Sequence, residues 1–369
     1  MSLKTLGLAL LVAALASLLQ AQEAGPWGLR LDFMTGFQDP VGHAGYFQAS
    51  RVLWDRREML SDELELDWGA EALWWVQGPQ GPPVSRLNLP WPEGGPAPRI
   101  DPEWNNFNQS DGVNFEVLRL TRLHLKWAFD DFQAVGGLFA PDWGQGRFFR
   151  PTDYFGPLAP LTLWPEEPLG SEGLDASQAL LDDLSVEAAA RLTAGHGAEW
   201  VLRLPNRGIG FLVAPSFAHL SGREGLGLEG LVTFPDFQLR LEAVRWAWGG
   251  RLTALETLAG FSTRWEGGDW CLEWLKDGTG EALASFSTRA PAADYLTLFW
   301  RRALDENWVW EPTLVKSLQG GPLLFWPKLT WSFESGWTFG AEGQVGAFFS
   351  EGPLAAHPDR FFLRVDREF

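Results

Sequence analysis

The chain carries a single cysteine, Cys271, in 369 residues. One thiol excludes an intrachain disulfide framework and any metal site built from several thiolates. Methionine and tyrosine are scarce as well, three of each. Basic residues are outnumbered, 29 Lys and Arg against 47 Asp and Glu, for a formal charge of −18. That balance excludes nucleic acid as a partner, because binding DNA or RNA needs a basic surface to displace counterions. Beyond the N-terminus no apolar run approaches the ~20 residues a bilayer-spanning helix requires. In place of all this stand 41 Gly, 25 Pro, 22 Trp and 26 Phe, a composition suited to strands, turns and interfacial aromatics.

The one long apolar run, Leu6 to Leu19, follows Lys4 and ends beside the small Ala21. It reads as a secretory leader cut after Ala21, which leaves residues 22–369 as one domain. Export without a later membrane helix leaves two classes: a protein free outside the cytoplasm, or a membrane β-barrel.

Alternation favours the barrel. Leu64, Leu66, Trp68, Ala70, Ala72 and Trp74 share one parity, and Glu63, Glu65, Asp67 and Glu71 the other. Phe115, Val117, Leu123, Leu125, Trp127 and Phe129 oppose Glu116, Arg122, His124 and Lys126, with Arg119 breaking the apolar side, as a place near a membrane edge tolerates. Arg240 and Glu242 oppose Phe237, Leu239 and Leu241, and Glu342 opposes Phe339 and Ala341. A barrel strand shows lipid one face and a wet lumen the other, so Glu63, Glu65, Asp67, Glu71, Arg122, Lys126, Arg240, Glu242 and Glu342 are the candidate lumen-lining residues. A β-sandwich also alternates, but many runs here are long and end in Trp, as aromatic girdles require.

The pattern predicts an all-β, closed antiparallel transmembrane barrel of about 16–18 strands; a count along the chain gives eighteen, including strands at 183–194, 198–205, 209–219 and 281–289. Pro205 to Gly208 either separates two strands or interrupts one. The long connections at 38–46, 77–112, 141–182 and 349–359 all follow odd-numbered strands, which puts them at one end, outside the cell if the first strand rises from the periplasm. Ala176, Leu180 and Leu184, spaced by four, leave room for a short helix near 174–182.

The chain finishes F-F-L-R-V-D-R-E-F. Phe361, Leu363, Val365 and Phe369 form an apolar parity ending in an aromatic residue, with Arg367 out of step. This strand resembles the assembly signal of bacterial outer-membrane barrel proteins. The resemblance implies outer-membrane lipid and the barrel assembly machinery as partners.

A second stretch is W-G-Q-G-R-F-F-R-P-T-D-Y-F-G-P-L at 143–158. It resembles the W-G-x-G and N-P-x-D-x-F-x-P segment of porin-like and alginate-export-like outer-membrane families: Trp143, Gly144, Gly146, Pro151, Asp153, Phe155 and Pro157 match, while Arg150 stands where Asn is common. The glycines permit turns closed to other residues, and the prolines keep the segment out of a central strand. The position implied is that of a loop folded into the mouth or lumen, with Arg147, Arg150 and Asp153 at the channel constriction. Two roles stay open for these three: charges beside the solute path, or ties between loop and wall.

Enzyme motifs are missing: there is no G-x-S-x-G, no H-E-x-x-H, and the five histidines are scattered. Neither catalytic residues, nor a metal, nor a cofactor is expected. The expected function is an outer-membrane channel for passive or weakly selective passage of small hydrophilic solutes. The alternatives are a specific oligosaccharide or polyanion channel, with Trp75 and Trp326 as stacking surfaces, and a non-transporting secreted β-sandwich.

Overall fold

The computed structural model describes residues 27–39, 45–77, 104–108, 113–139, 143–155, 171–193, 197–220, 222–248, 251–278, 294–319, 323–347 and 359–368. The expected leader, residues 1–21, and Phe369 lie outside them. So does the strand expected at 281–289.

The elements are all strands: β1 (Trp27–Asp39), β2 (Gly45–Met59), β3 (Leu64–Gln77), β4 (Trp104–Asn108), β5 (Val113–Phe129), β6 (Phe132–Phe139), β7 (Ser171–Ala179), β8 (Ser185–Thr193), β9 (Gly197–Arg203), β10 (Asn206–Gly208) and β11 (Phe211–Leu220). They continue as β12 (Arg223–Thr233), β13 (Phe237–Trp248), β14 (Arg251–Trp265), β15 (Gly268–Asp277), β16 (Tyr295–Ala303), β17 (Trp308–Trp310), β18 (Thr313–Ser317), β19 (Leu323–Trp326), β20 (Lys328–Ser332), β21 (Trp337–Ala347) and β22 (Asp359–Glu368). Each pairs antiparallel with its neighbour, and β22 returns to β1 along ten residue pairs from Arg30–Glu368 to Asp39–Asp359. The wall is a closed barrel of eighteen strands among the described residues. β4 hangs on β5 alone, and β9 with β10, β17 with β18, and β19 with β20 are interrupted single strands.

Prolines make the interruptions. Pro205, Pro312 and Pro327 have no N–H to give a ladder, yet each still accepts a bond through its carbonyl, from the N–H of Ser185 (3.0 Å), Trp300 (3.1 Å) and Gly343 (3.0 Å). Pairing survives and the wall stays closed. Pro205 therefore interrupts one strand, and the turn comes later, at Ile209 and Gly210, where Gly210 has φ 77°.

Polarity is inverted relative to a protein packed around an oily centre. Leu226, Leu228, Leu239, Leu241, Leu255 and Leu272 lie exposed on the outer face, while Glu229, Glu242 and Glu273 are fully buried inside. A sandwich would put the leucines between its sheets. That inversion, together with closure, removes the β-sandwich alternative.

Eight tight turns share one end, from Leu60–Glu63 to Phe333–Gly336, and the connections 78–112, 140–170, 278–294 and 348–358 share the other. At the tight-turn end the outer face is ringed by aromatics in contact: Phe234 with Phe237 at 4.4 Å, Trp270 with Trp300 at 5.1 Å, Trp308 with Trp331 at 5.1 Å, and Trp127 with Phe132 at 5.6 Å. Arg367 lies 4.8 Å over the Trp337 ring. Its departure from the apolar parity of the last strand is thus a cation–π contact at the height of the aromatic ring, while Phe361 and Leu363 face outward as expected.

Three expectations need correction. Residues 171–179 form a wall strand, not a helix: Ala176 pairs with Ala134 and Ala188, and the helix-like spacing arises because Leu180 to Leu184 is the next turn. A β-bulge between Gly69 and Ala70 shifts the β3–β5 register, so position Arg119 falls opposite Glu71, on the inward side, and not at a membrane edge. Val117 likewise falls opposite Leu73 and leaves the outward set. Glu63 is part of the exposed turn before β3 and not of the inner wall.

Candidate functional site

The segment Trp143–Phe155 leaves the top of β6 and lies inside the barrel. Its apolar side chains settle in two places on the inner wall. Trp143, Tyr154 and Phe155 pack with Ala189, Val201, Ala218, Val244 and Trp246. Phe149 packs with Leu258, Leu275, Tyr295, Val315 and Leu324, its ring stacked 5.7 Å from that of Tyr295. The segment therefore covers the inner face from β8 round to β19.

Its backbone is held by carboxylates of the wall. Glu229 and Glu242 are opposite in register, and Glu273 lies two strands on. Glu242 accepts from the N–H groups of Gln145 (2.6 Å), Gly146 (2.7 Å) and Thr152 (3.1 Å), and from the Thr152 hydroxyl (2.8 Å). Glu273 accepts from the N–H groups of Arg147 (2.5 Å) and Phe148 (2.9 Å), and from Arg240 at 3.1 Å. Glu229 accepts from Gln145 Nε2 at 2.9 Å and from Arg203 at 2.6 Å. Bonds to a charged acceptor in a dry interior are the strong kind.

Both glycines of the motif are required by this geometry. Gly144 has φ 86°, and a Cβ there would meet Arg150 Cβ at 2.9 Å and Glu242 Oε2 at 3.2 Å. At Gly146 a Cβ would lie 1.7 Å from the Phe149 carbonyl oxygen and 2.6 Å from Leu258 Cδ2. Tyr154 anchors the far end with its hydroxyl 2.8 Å from Ser216 Oγ. Burial pushes that phenol upward, so it stays protonated and bonded.

The three expected constriction residues separate. Arg147 is exposed inside the barrel, its guanidinium 3.5 Å over the Phe299 ring. Arg150 is half-buried and donates Nε to the Gly146 carbonyl at 2.8 Å, closing the loop on itself. Asp153 is buried. Of the expected lumen set, Glu65, Asp67, Glu71, Arg122, Lys126, Arg240, Glu242 and Glu342 all take inward positions. Several of these acids are occupied: Glu242 by the loop, Glu71 by Arg51 at 2.6 Å, and Glu342 by Trp326 Nε1 at 3.3 Å. Trp326 is buried and offers no free face for stacking. The side chain of Trp75 lies outside the described residues.

Between the loop and the tight-turn mouth the inner wall is wetter. Five exposed arginines stand there, each against a carboxylate: Arg57 with Glu65 (2.9 Å), Arg122 with Asp55 (3.4 Å), Arg207 with Glu187 (2.8 Å), Arg264 with Asp269 (2.9 Å) and Arg301 with Glu311 (3.3 Å). Arg122 alone of the five is among the expected lumen-lining residues. For Arg264 and Arg301 the adjoining outward Trp265 and Trp300 are the signal that would have found them, whereas Arg57, between Arg56 and Glu58, and Arg207, between Asn206 and Gly208, stand beside no Trp or Leu.

No family model and no curated protein matches the chain. Solved structures of the Occ and Opd outer-membrane porins match its fold. OccAB3 of Acinetobacter baumannii is 10% identical with a TM-score of 0.62, over 93% of this chain and 98% of that one. OccK2 (OpdF) of Pseudomonas aeruginosa, solved in complex with glucuronate, is 14% identical with a TM-score of 0.59, over 93% and 97%. OpdK of Pseudomonas aeruginosa, solved with vanillate, is 11% identical with a TM-score of 0.55, over 93% and 98%. The shared property is the porin-like barrel.

Proposed function

We propose that the protein is a channel of the bacterial outer membrane that passes small hydrophilic solutes with weak selectivity. The observation that carries this reading is the inward loop across a charged barrel interior, above a mouth whose exposed guanidiniums are each balanced by a carboxylate. Balanced charge wets a passage without giving it a strong sign. The apolar exterior and its aromatic ring suit the lipid of that membrane.

The rest of the reading follows from sequence. Residues 1–21 act as the export leader, residues 22–369 are the barrel domain, and the Phe361–Phe369 strand is read by the barrel assembly machinery. The W-G-x-G segment places the chain near the alginate-export-like and porin-like families. No catalytic role is assigned.

A second reading, preference for solutes with an anionic group, is favoured by Arg147. It lies over an aromatic ring at the loop, where a carboxylate would meet it first, and two of the fold neighbours were solved with glucuronate and vanillate. Planar-bilayer recording tests both. Purified, heat-modifiable protein should form discrete ion channels; glucuronate should interrupt the current only if the second reading holds. Folded protein that never conducts would overturn both.

A further inference from the structure

We propose that Glu242, seconded by Glu273, is the positioning residue of the passage: it sets the aperture by latching the Trp143–Phe155 segment to the wall, and it touches no solute itself. This rests on the channel reading above.

Four consecutive backbone N–H groups, from Gln145 to Phe148, point at two side-chain carboxylates, the first pair at Glu242 and the second at Glu273. Successive N–H groups after a residue of positive φ form the concavity that proteins use to hold an anion. Here the anion belongs to the barrel. Glu242 is fully buried and both its oxygens are filled, Oε1 by Gln145 and Gly146 and Oε2 by Thr152 twice. No face of it remains for a solute.

The wall is shaped around the latch. Arg240 reaches Glu273 across β14, and the residue it passes is Gly260, where a Cβ would stand 2.9 Å from Arg240 Cγ. Arg203 fixes Glu229, which holds the Gln145 side chain, and ties it to Glu187 at 2.6 Å. Glu229 and Glu273 are thus each held by an arginine of the wall, whereas Glu242 takes its donors from the loop. Toward these three carboxylates the loop brings donors alone. An acceptor with two oxygens is therefore required at 242: glutamine would keep one oxygen and turn an amide N–H₂ against donors, and alanine would strip the N–H groups of Gln145, Gly146 and Thr152 of this acceptor, leaving the Thr152 hydroxyl only its longer contact with Glu229.

The test is single-channel conductance of wild type, Glu242→Gln and Glu242→Ala, each also made in a chain whose residues 143–155 are replaced by an equally long Gly-Ser linker. Conductance should rise from wild type through Gln to Ala, and the linker chain should conduct alike whatever stands at 242. A position-242 effect that persists in the linker chain would mean that Glu242 meets the solute, and the proposal fails. Unchanged conductance in a folded, heat-modifiable Glu242→Ala barrel would equally overturn it. Should Glu242→Ala not fold, Thr152→Val removes one donor from the same carboxylate and should raise conductance by less. A readout independent of conduction separates the latch from the channel: Phe148→Cys, in a Cys271→Ser background, should react faster with an impermeant thiol reagent once Glu242 is Gln. Equal rates sink the latch even if the protein conducts. Faster labelling in a protein that never conducts would confirm the latch and overturn the channel reading instead.

Discussion

An arginine placed on the outer wall should cost an amount set by its height above the aromatic ring. Leu241 is exposed on β13, and two outward positions separate it from Phe237, a member of the ring. Two residues of strand advance ~6.6 Å, and at a tilt of about 40° that is a climb of ~5 Å per outward position. Leu241 therefore stands ~10 Å above the ring, close to the middle of an apolar band ~25 Å tall. Leu66 is lower. It pairs with Leu125, one outward position above Trp127, so it sits ~5 Å from the ring.

Leu241→Arg should therefore cost about 2–4 kcal/mol, and Leu66→Arg should fall toward ~0–1 kcal/mol, because a guanidinium near the interface reaches water. Equilibrium folding into lipid vesicles, followed by urea titration and by heat-modifiable migration on gels, measures both. A larger cost at Leu66 than at Leu241 would mean that the ring does not mark a membrane interface. A negligible cost at both would mean that the exterior does not face lipid.

Three other expectations can be measured. Arg51→Leu strips buried Glu71 and Asp32 of a cation 2.6 and 3.5 Å away, and it should cost about 3–5 kcal/mol; an unchanged urea midpoint would show that the two acids are held by other groups. Arg147→Glu with Arg150→Glu should move the reversal potential toward cations, more so at low salt where screening is weak, and an unmoved potential would confine both residues to holding the loop. Deleting Phe369 should lower the amount of assembled barrel while the leader is still removed, and normal outer-membrane levels would deny the last strand its signal role.

The barrel was legible because its two faces meet opposite solvents, so a parity of two separates Leu64, Leu66 and Trp68 from Glu65, Asp67 and Glu71 without any knowledge of partners. The failures come where that contrast fades or the period breaks. In S-E-G-L-D-A-S-Q-A the outward set is Leu174, Ala176 and Gln178, too small and too polar to announce a membrane face. The bulge at Gly69 is invisible for another reason: it is a property of the pair β3–β5, in which one strand carries an extra residue, and neither run betrays it alone. A count of eighteen thus agrees with the wall although it omits β7 and includes 281–289, outside the described residues.

The loop was legible in its own residues and not in its partners. Gly144, Gly146 and Pro151 announce a turn away from the wall, but the groups that fix it lie 90 residues on at Glu242 and 126 at Glu273, and only the winding of the barrel brings them to the same height. Reading those acids as lumen lining takes the lumen to be water. Inside this barrel it is partly peptide, and a buried carboxylate there must find donors or lose its charge. The two halves of the problem answer each other. A Gly-x-Gly turn followed by polar backbone offers N–H groups to an anion. Strands β12 to β15 meanwhile place Glu229, Glu242 and Glu273 on an inner face with fewer cations than acids. Donors without an anion and anions short of cations, in one enclosed space, determine that the loop folds inward and where it stops.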